Sequence, residues 1–346
     1  MESDSTPELV YFDPVGHEAH AAQGHPERPA RIEAIRWGLQ TLGWWDRYPH
    51  LEPREAPQPV LEAVHTPAYL RQLENACRNG LWLDMDTYTT PASWRLALNA
   101  AGGSLAVMRA VWQSRAWRGF ALARPPGHHA CSDHGMGFCL LNNIALAAED
   151  LLQNQGARRL AIVDLDLHHG NGTQEIFYQR GDVFYTSIHQ SPLYPGSGAV
   201  EEVGFGKGEG FTANLPLPPG SGDVAGAAAM EELILPLLER FRPEAILVSV
   251  GFDTHWRDPL GSLRFSAQGH YDLIRSLTQF ADRHCAGHIA LFLEGGYDLP
   301  AGSACAQAYT AALLGQPFAD PLGPAPGPES EHWRPWLERA KALWEL

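Results

Sequence analysis

Five short runs, almost wholly apolar, recur along the chain at Gly119 to Ala123, Leu160 to Leu165, Val183 to Ile188, Ala245 to Val250 and Ile289 to Leu293. A strand with one face in water alternates polar and apolar residues. A strand that stays apolar is buried on both faces, which is the situation of a parallel sheet covered by helices on each side. Between the runs lie stretches with helical spacing: Pro29 to Leu42, Pro91 to Trp112, Asn142 to Gln155, Asp223 to Phe241, Ala267 to Arg283 and Pro300 to Leu314. This order predicts an α/β fold with a central parallel sheet and helices on both faces. No interior linker or repeat interrupts it, so one domain over 1–346 is expected, with 1–8 and 316–346 peripheral, the latter a Pro/Gly-rich loop from Gln316 to Pro328 leading to a short terminal helix.

Composition removes several function classes. No apolar run approaches the roughly 20 residues of a membrane span. The start, Met1-Glu2-Ser3-Asp4-Ser5-Thr6-Pro7-Glu8, is acidic and lacks the basic-then-apolar pattern of a secretory signal, so a cytoplasmic location is expected. A formal charge of −15 argues against a nucleic-acid surface and favours the approach of cations. The five cysteines, Cys77, Cys131, Cys139, Cys285 and Cys305, have no C-x-x-C spacing and are expected to be reduced core thiols.

The polar residues gather where the apolar runs stop. His128-His129 follows the first run, Asp166 and His168 end the second, Asp253 follows the fourth and Glu294-Gly295-Gly296-Tyr297 the fifth. These are carboxyl ends of strands, where open parallel sheets place their ligand crevice. Strand alternation would aim Asp164, Asp166 and His168 to one face, with Leu165 and Leu167 on the other. Asp166, His168 and Asp253 make a three-ligand metal set that leaves a position open for water, as in catalytic zinc sites; the two carboxylates also suit Fe2+, Mn2+ or Co2+. Asp253 as a helix N-cap before Thr254 is the plainer alternative. The pair His128-His129, held by Arg124-Pro125-Pro126-Gly127, can divide proton transfer and charge between two imidazoles. Tyr297, after two glycines, can turn its phenol toward a developing oxyanion.

Taken in order, Pro125-Pro126-Gly127-His128-His129-Ala130, Gly137-Phe138-Cys139, Asp164 to Thr173, Gly251-Phe252-Asp253 and Glu294 to Tyr297 resemble the zinc-dependent histone deacetylase superfamily. The likeness runs from His25-Pro26-Glu27-Arg28-Pro29 to about Leu314 and leans toward the class II branch and its bacterial amidohydrolases. It implies an arginase/deacetylase-like sheet of about eight strands, Zn2+ on Asp166, His168 and Asp253, His129 as general base then acid, His128 backed by Asp164 as its electrostatic partner, and Tyr297 as oxyanion donor. It implies Asn171 behind the base where class I members have Asp. It further implies a structural K+ at Asp164, Asp166, His168, Ser187 and Ile188. Phe138 and Tyr194 would be the channel walls, Gly137 a carbonyl accepting the substrate amide, Asp86 a rim contact and Arg31 a neighbour of the acetate exit.

The implied substrate is an acylated lysine or another small acylated amine, with no nucleic-acid or membrane partner, acted on by a monomer or a homo-oligomer. Polyamine-selective relatives carry an acidic gatekeeper after Gly-Asp-Pro; here Arg257-Asp258-Pro259 is followed by Leu260, which disfavours an acetylpolyamine. Two other readings stay open on residues alone. One is a noncatalytic acyl- or acetate-binding protein, and the other an arginase-like ureohydrolase, which would need a bridging pair of metals.

Overall fold

The structure is a computed structural model that describes residues 6–346, so Met1 to Ser5 of the acidic start lie outside the described residues. Eight strands form one sheet: β1 (Leu9–Phe12), β2 (His50–Leu51), β3 (Arg118–Ala121), β4 (Leu160–Asp164), β5 (Val183–Gln190), β6 (Thr212–Leu217), β7 (Ala245–Val250) and β8 (Ile289–Leu293). Their order is β2-β1-β3-β8-β7-β4-β5-β6, and every pairing is parallel. The five apolar runs are β3, β4, β5, β7 and β8. The expected strands do not include β1, β2 or β6, although β1 is wholly apolar and buried. β2 has only two residues, and β6 carries Pro216, which lacks a ladder donor and is tolerated because β6 is an edge.

Both faces of the central strands are apolar because each faces its own core. In β7, Ile246, Val248 and Val250 enter one buried cluster while Ala245 and Leu247 enter the other; in β4, Ala161 and Val163 oppose Leu160 and Ile162. Helices Ala30–Thr41, Ala267–His284 and Leu299–Leu314 cover the first core, and Ser93–Trp112 and Asn143–Asn154 the second.

Two helical expectations and one of placement change. Pro67–Asn79, not among the stretches expected to be helical, is a helix capped by the Thr66 hydroxyl, which accepts from Tyr69 N, and stopped by Gly80 in the left-handed region. The expected helix Asp223 to Phe241 is broken by a π turn at Met230–Ile234, where Leu235 N–H bonds to the Met230 carbonyl. Pro236 explains this, since its ring would clash with the carbonyl four residues back and it offers no N–H. The stretch 316–346, expected to be peripheral, ends in a helix, Arg334–Trp344, that buries Leu337 and Ala340, with Trp333 just before it, in the first core.

Candidate active site

Neighbouring strands β3, β8, β7 and β4 deliver the polar clusters to one place. The ladder of β4 stops at Asp164, so Asp166 and His168 sit in the bend beyond the strand rather than on it. Asp253 caps no helix; residues 251–258 form turns. One ligand atom from each of Asp166, His168 and Asp253 lies within 4.8 Å of the others. His168 Nδ1 is 3.2 Å from Asp166 Oδ1 and 3.3 Å from Asp253 Oδ2.

Backbone donors hold the carboxylates. Gly295 N donates to Asp166 Oδ2 at 2.8 Å and Leu167 N to Asp253 Oδ1 at 3.1 Å. Asp253 Oδ2 is buried without any hydrogen bond among the described residues. Burial and the Asp166 charge both push the Asp253 carboxyl up. A buried acceptor with no donor, beside a second carboxylate and an imidazole, is the environment a divalent cation satisfies. Gly295 is required here, because a Cβ would overlap the Asp253 carboxylate. Gly296, at φ +110°, lays its backbone against the Phe252 ring and releases Tyr297 toward the site.

The two histidines, with ring centroids 4.1 Å apart, have opposite surroundings. His128 Nδ1 lies 3.1 Å from Asp164 Oδ2, which also accepts from the Tyr185 hydroxyl at 3.3 Å. Burial disfavours its charged form, but Asp164, Asp166 and Glu294 overcome this and raise His128 to about 10. His129 Nδ1 meets a neutral amide, Asn171 Oδ1, at 2.7 Å. Burial and then the His128 and His168 charges hold His129 well below the usual imidazole range. The Asn171 amide nitrogen faces Cys131 Sγ and Met136 Sδ, which fixes its oxygen as the acceptor for His129 Nδ1–H and leaves Nε2 unprotonated.

His128, His129, Asp166 and His168 line a cavity of about 290 Å³ together with Asp86, Gly137, Phe138, Tyr194, Leu260 and Tyr297, while Asp253 lies just behind that lining. Phe138 stands edge-on to Tyr297 at 5.9 Å, and Tyr194 edge-on to His129 at 5.2 Å, and both aromatics line the cavity. Phe138 is held in the left-handed region at φ +69°, an outlier for a bulky residue, with its N–H on Thr87 Oγ1 at 3.1 Å.

The family follows from this arrangement once the chain is compared with known proteins. The histone deacetylase domain profile matches residues 25–313. The chain belongs to the histone deacetylase family. Its relatives include a probable deacetylase of Archaeoglobus fulgidus, 43% identical over 80% of this chain and 77% of that one. The histone deacetylase-like amidohydrolase of Pseudomonas aeruginosa is 39% identical over 80% and 73% of the two chains, and the chloroplastic histone deacetylase 14 of Arabidopsis thaliana 38% identical over 86% and 74%. The crystal structure of the HDA15 HD domain superposes with a TM-score of 0.88 at 36% identity, covering 98% of this chain and 95% of that one. The fold is therefore that of histone deacetylases, and the family's members are deacetylases and amidohydrolases.

Not every histone deacetylase position read from the sequence reaches the cavity. Arg31 is buried behind Tyr297, 5.1 Å from its ring, with its guanidinium spent on the Gly296 and Glu294 carbonyls and on Glu27. Ser187 is the register partner of Asp164 on β5, with Ile188 next to it, and its hydroxyl contacts His189. Cys131 and Cys139 are buried free thiols, and burial pushes both up. Two carboxylates have no role that sequence reasoning alone suggests. Glu294 accepts from Gly127 N at 2.7 Å, His128 N at 3.0 Å and Ser249 Oγ at 3.0 Å, and so fixes the histidine turn. Glu27, within His25-Pro26-Glu27-Arg28-Pro29, pairs with buried Arg124 and Arg31. A charged residue inside a recognised motif was the available signal; its partners are 97 residues away or four residues on, in the first turn of the helix Ala30–Thr41. No helix among the described residues is long and apolar enough to cross a membrane.

Proposed function

We propose that the chain hydrolyses the amide of an acylated amine, with N-ε-acetyl-lysine or a similar small acylamide as substrate and Zn2+ on Asp166, His168 and Asp253. The observation that carries this reading is the paired imidazoles of opposite bias beside a metal-donor set with an unsatisfied carboxylate oxygen. When bound, the divalent ion supplies Lewis acidity toward the acyl carbonyl and acidifies a water. His129 Nε2, free because Nδ1 donates to Asn171, takes the proton of the attacking water and passes it to the leaving amine. His128, kept cationic by Asp164, stabilises charge without surrendering its proton.

The Tyr297 hydroxyl has no hydrogen-bond partner among the described residues and is the donor for the oxyanion. Gly137, whose Cα abuts the His129 ring, offers its carbonyl to the substrate amide, and Phe138 and Tyr194 exclude water from the methylene chain. Arg31, behind Tyr297, would neighbour the acetate exit. A structural K+ among Asp164, Asp166, His168, Ser187 and Ile188 belongs to the same reading, supported by the adjacency of Asp164 and Ser187.

The test is acetate release by the zinc-loaded chain across acetyl-lysine peptides, longer acyl-lysines and acetylpolyamines, with Tyr297→Phe in parallel. Tyr297→Phe is expected to lower kcat by about 10² to 10³ at unchanged metal content. Full activity of that variant removes Tyr297 from the mechanism. Two catalytic divalent ions per chain would favour a ureohydrolase, and a strong preference for acetylpolyamines would overturn the argument from Leu260.

A further inference from the structure

Asp258 belongs neither to the metal donors nor to the histidine pair, yet it is only 6% exposed and makes no salt bridge among the described residues. A buried carboxylate without a cation is costly, so its hydrogen bonds should say what it is for. Oδ2 accepts from Tyr297 N at 2.6 Å and Asp298 N at 3.2 Å, and Oδ1 accepts from Leu260 N at 3.0 Å. It thus joins two segments that have different work. Tyr297 presents the hydroxyl at the floor of the cavity, and Leu260 lines the same cavity and is partly exposed.

Tyr297 needs such an anchor. Gly295-Gly296 precedes it, with Gly296 at φ +110°, so the chain enters through the two residues with the greatest backbone freedom. Its ring rests on the Arg31 guanidinium and on the edge of Phe138, and its hydroxyl is not tied down. On the other side Asp298 caps the helix Leu299–Leu314 through Ala301 N, so Asp258 grips the junction between a free hinge and a fixed helix.

The geometry points to Asp258 as a positioning residue that sets Tyr297 against the reacting carbonyl and couples that setting, through Leu260, to the mouth of the channel. This rests on the deacylase reading above. Only a side chain with an acceptor on each oxygen can serve both arms. An asparagine would turn its amide N–H toward one of the backbone N–H groups and release that arm.

The experiment is a double-mutant cycle on the zinc-loaded full chain. A misplacement near 1 Å costs about 10²-fold, so Asp258→Asn is expected to lower kcat by about 10- to 100-fold, with KM within about 3-fold and metal content unchanged. In a Tyr297→Phe background, which has already lost the hydroxyl, the same change is expected to lower kcat by less than about 3-fold. A general loosening of the fold would act equally in both backgrounds. Equal losses in the two backgrounds, or no loss beside an intact Tyr297, overturn the assignment. If Asp258→Asn does not fold, Asp258→Glu, which keeps the charge but overreaches by one methylene, is put through the same cycle, and the same two results overturn the assignment. A native chain inactive on every acylamide sinks the functional reading itself. An active native chain with equal losses sinks only the role of Asp258.

Discussion

Replacing Asn171 by aspartate places a carboxylate where the amide oxygen now stands, 2.7 Å from His129 Nδ1. With charge centres about 4 Å apart and an effective dielectric near 20, the attraction for an imidazolium is about 4 kcal/mol. Part of this is lost, because the second oxygen would face Cys131 Sγ and Met136 Sδ, which solvate a charge poorly. The net rise in the His129 pKa should fall within the roughly 1 to 3 units usual for an adjacent opposite charge. A general base works deprotonated, so raising its pKa moves the acidic limb of kcat/KM to higher pH by the same roughly 1 to 3 units. The profile is read on the zinc-loaded enzyme with an acetyl-lysine peptide over about pH 5 to about pH 9. A limb that stays put or moves to lower pH would show that His129 is not the titrating base.

Two other perturbations follow from buried geometry. Glu27 is fully buried between Arg124 and Arg31 and accepts from the Tyr88 hydroxyl, so Glu27→Gln leaves two guanidinium groups undercompensated and should cost about 3 to 5 kcal/mol in urea unfolding. Burial raises this carboxyl, but Arg124, His20 and Arg31 bring it from 4.5 to about 2, so its stabilisation is present above the unfolded value and is lost as pH falls toward about 2. A cost below about 1 kcal/mol would mean that the pair is not held as described. Leu260→Glu adds an anion to the cavity mouth and is expected to raise kcat/KM for acetylpolyamines over acetyl-lysine peptides by about 10-fold. An unchanged ratio would deny Leu260 a part in selectivity.

The chemistry was more legible in the chain than the architecture around it. Buried central strands announce themselves, because apolar residues on both faces cannot be mistaken for a half-exposed edge; β7 and β8 match the expected ranges residue for residue. β2 and β6 carry a weaker signal, one having two residues and the other a proline at a sheet edge, whereas β1 is wholly apolar and buried and carries the same signal as the expected strands. The helix Pro67–Asn79 was legible in full, from Tyr69, Leu70, Leu73, Ala76 and Cys77 at helical spacing and from Thr66 and Gly80 at its ends, whereas the π turn at Met230–Ile234 depends on how Pro236 is accommodated.

By itself the sequence determined the kind of sheet, the clustering of Asp166, His168, Asp253, the histidine pair and Tyr297 at strand ends, and the family they resemble, because each follows from local spacing and residue type. Tertiary structure alone decided that β8, β7 and β4 are neighbours, and so that ligand atoms far apart in the chain come within 4.8 Å. It alone gave His128 a carboxylate and His129 an amide, with opposite consequences for their protons. It also turned Asp258, which in the sequence only precedes the gatekeeper position, into the tie between Leu260 and Tyr297. The reason is physical: a pKa or a hydrogen bond belongs to a pair of groups, and the partners lie 36 to 42 residues apart.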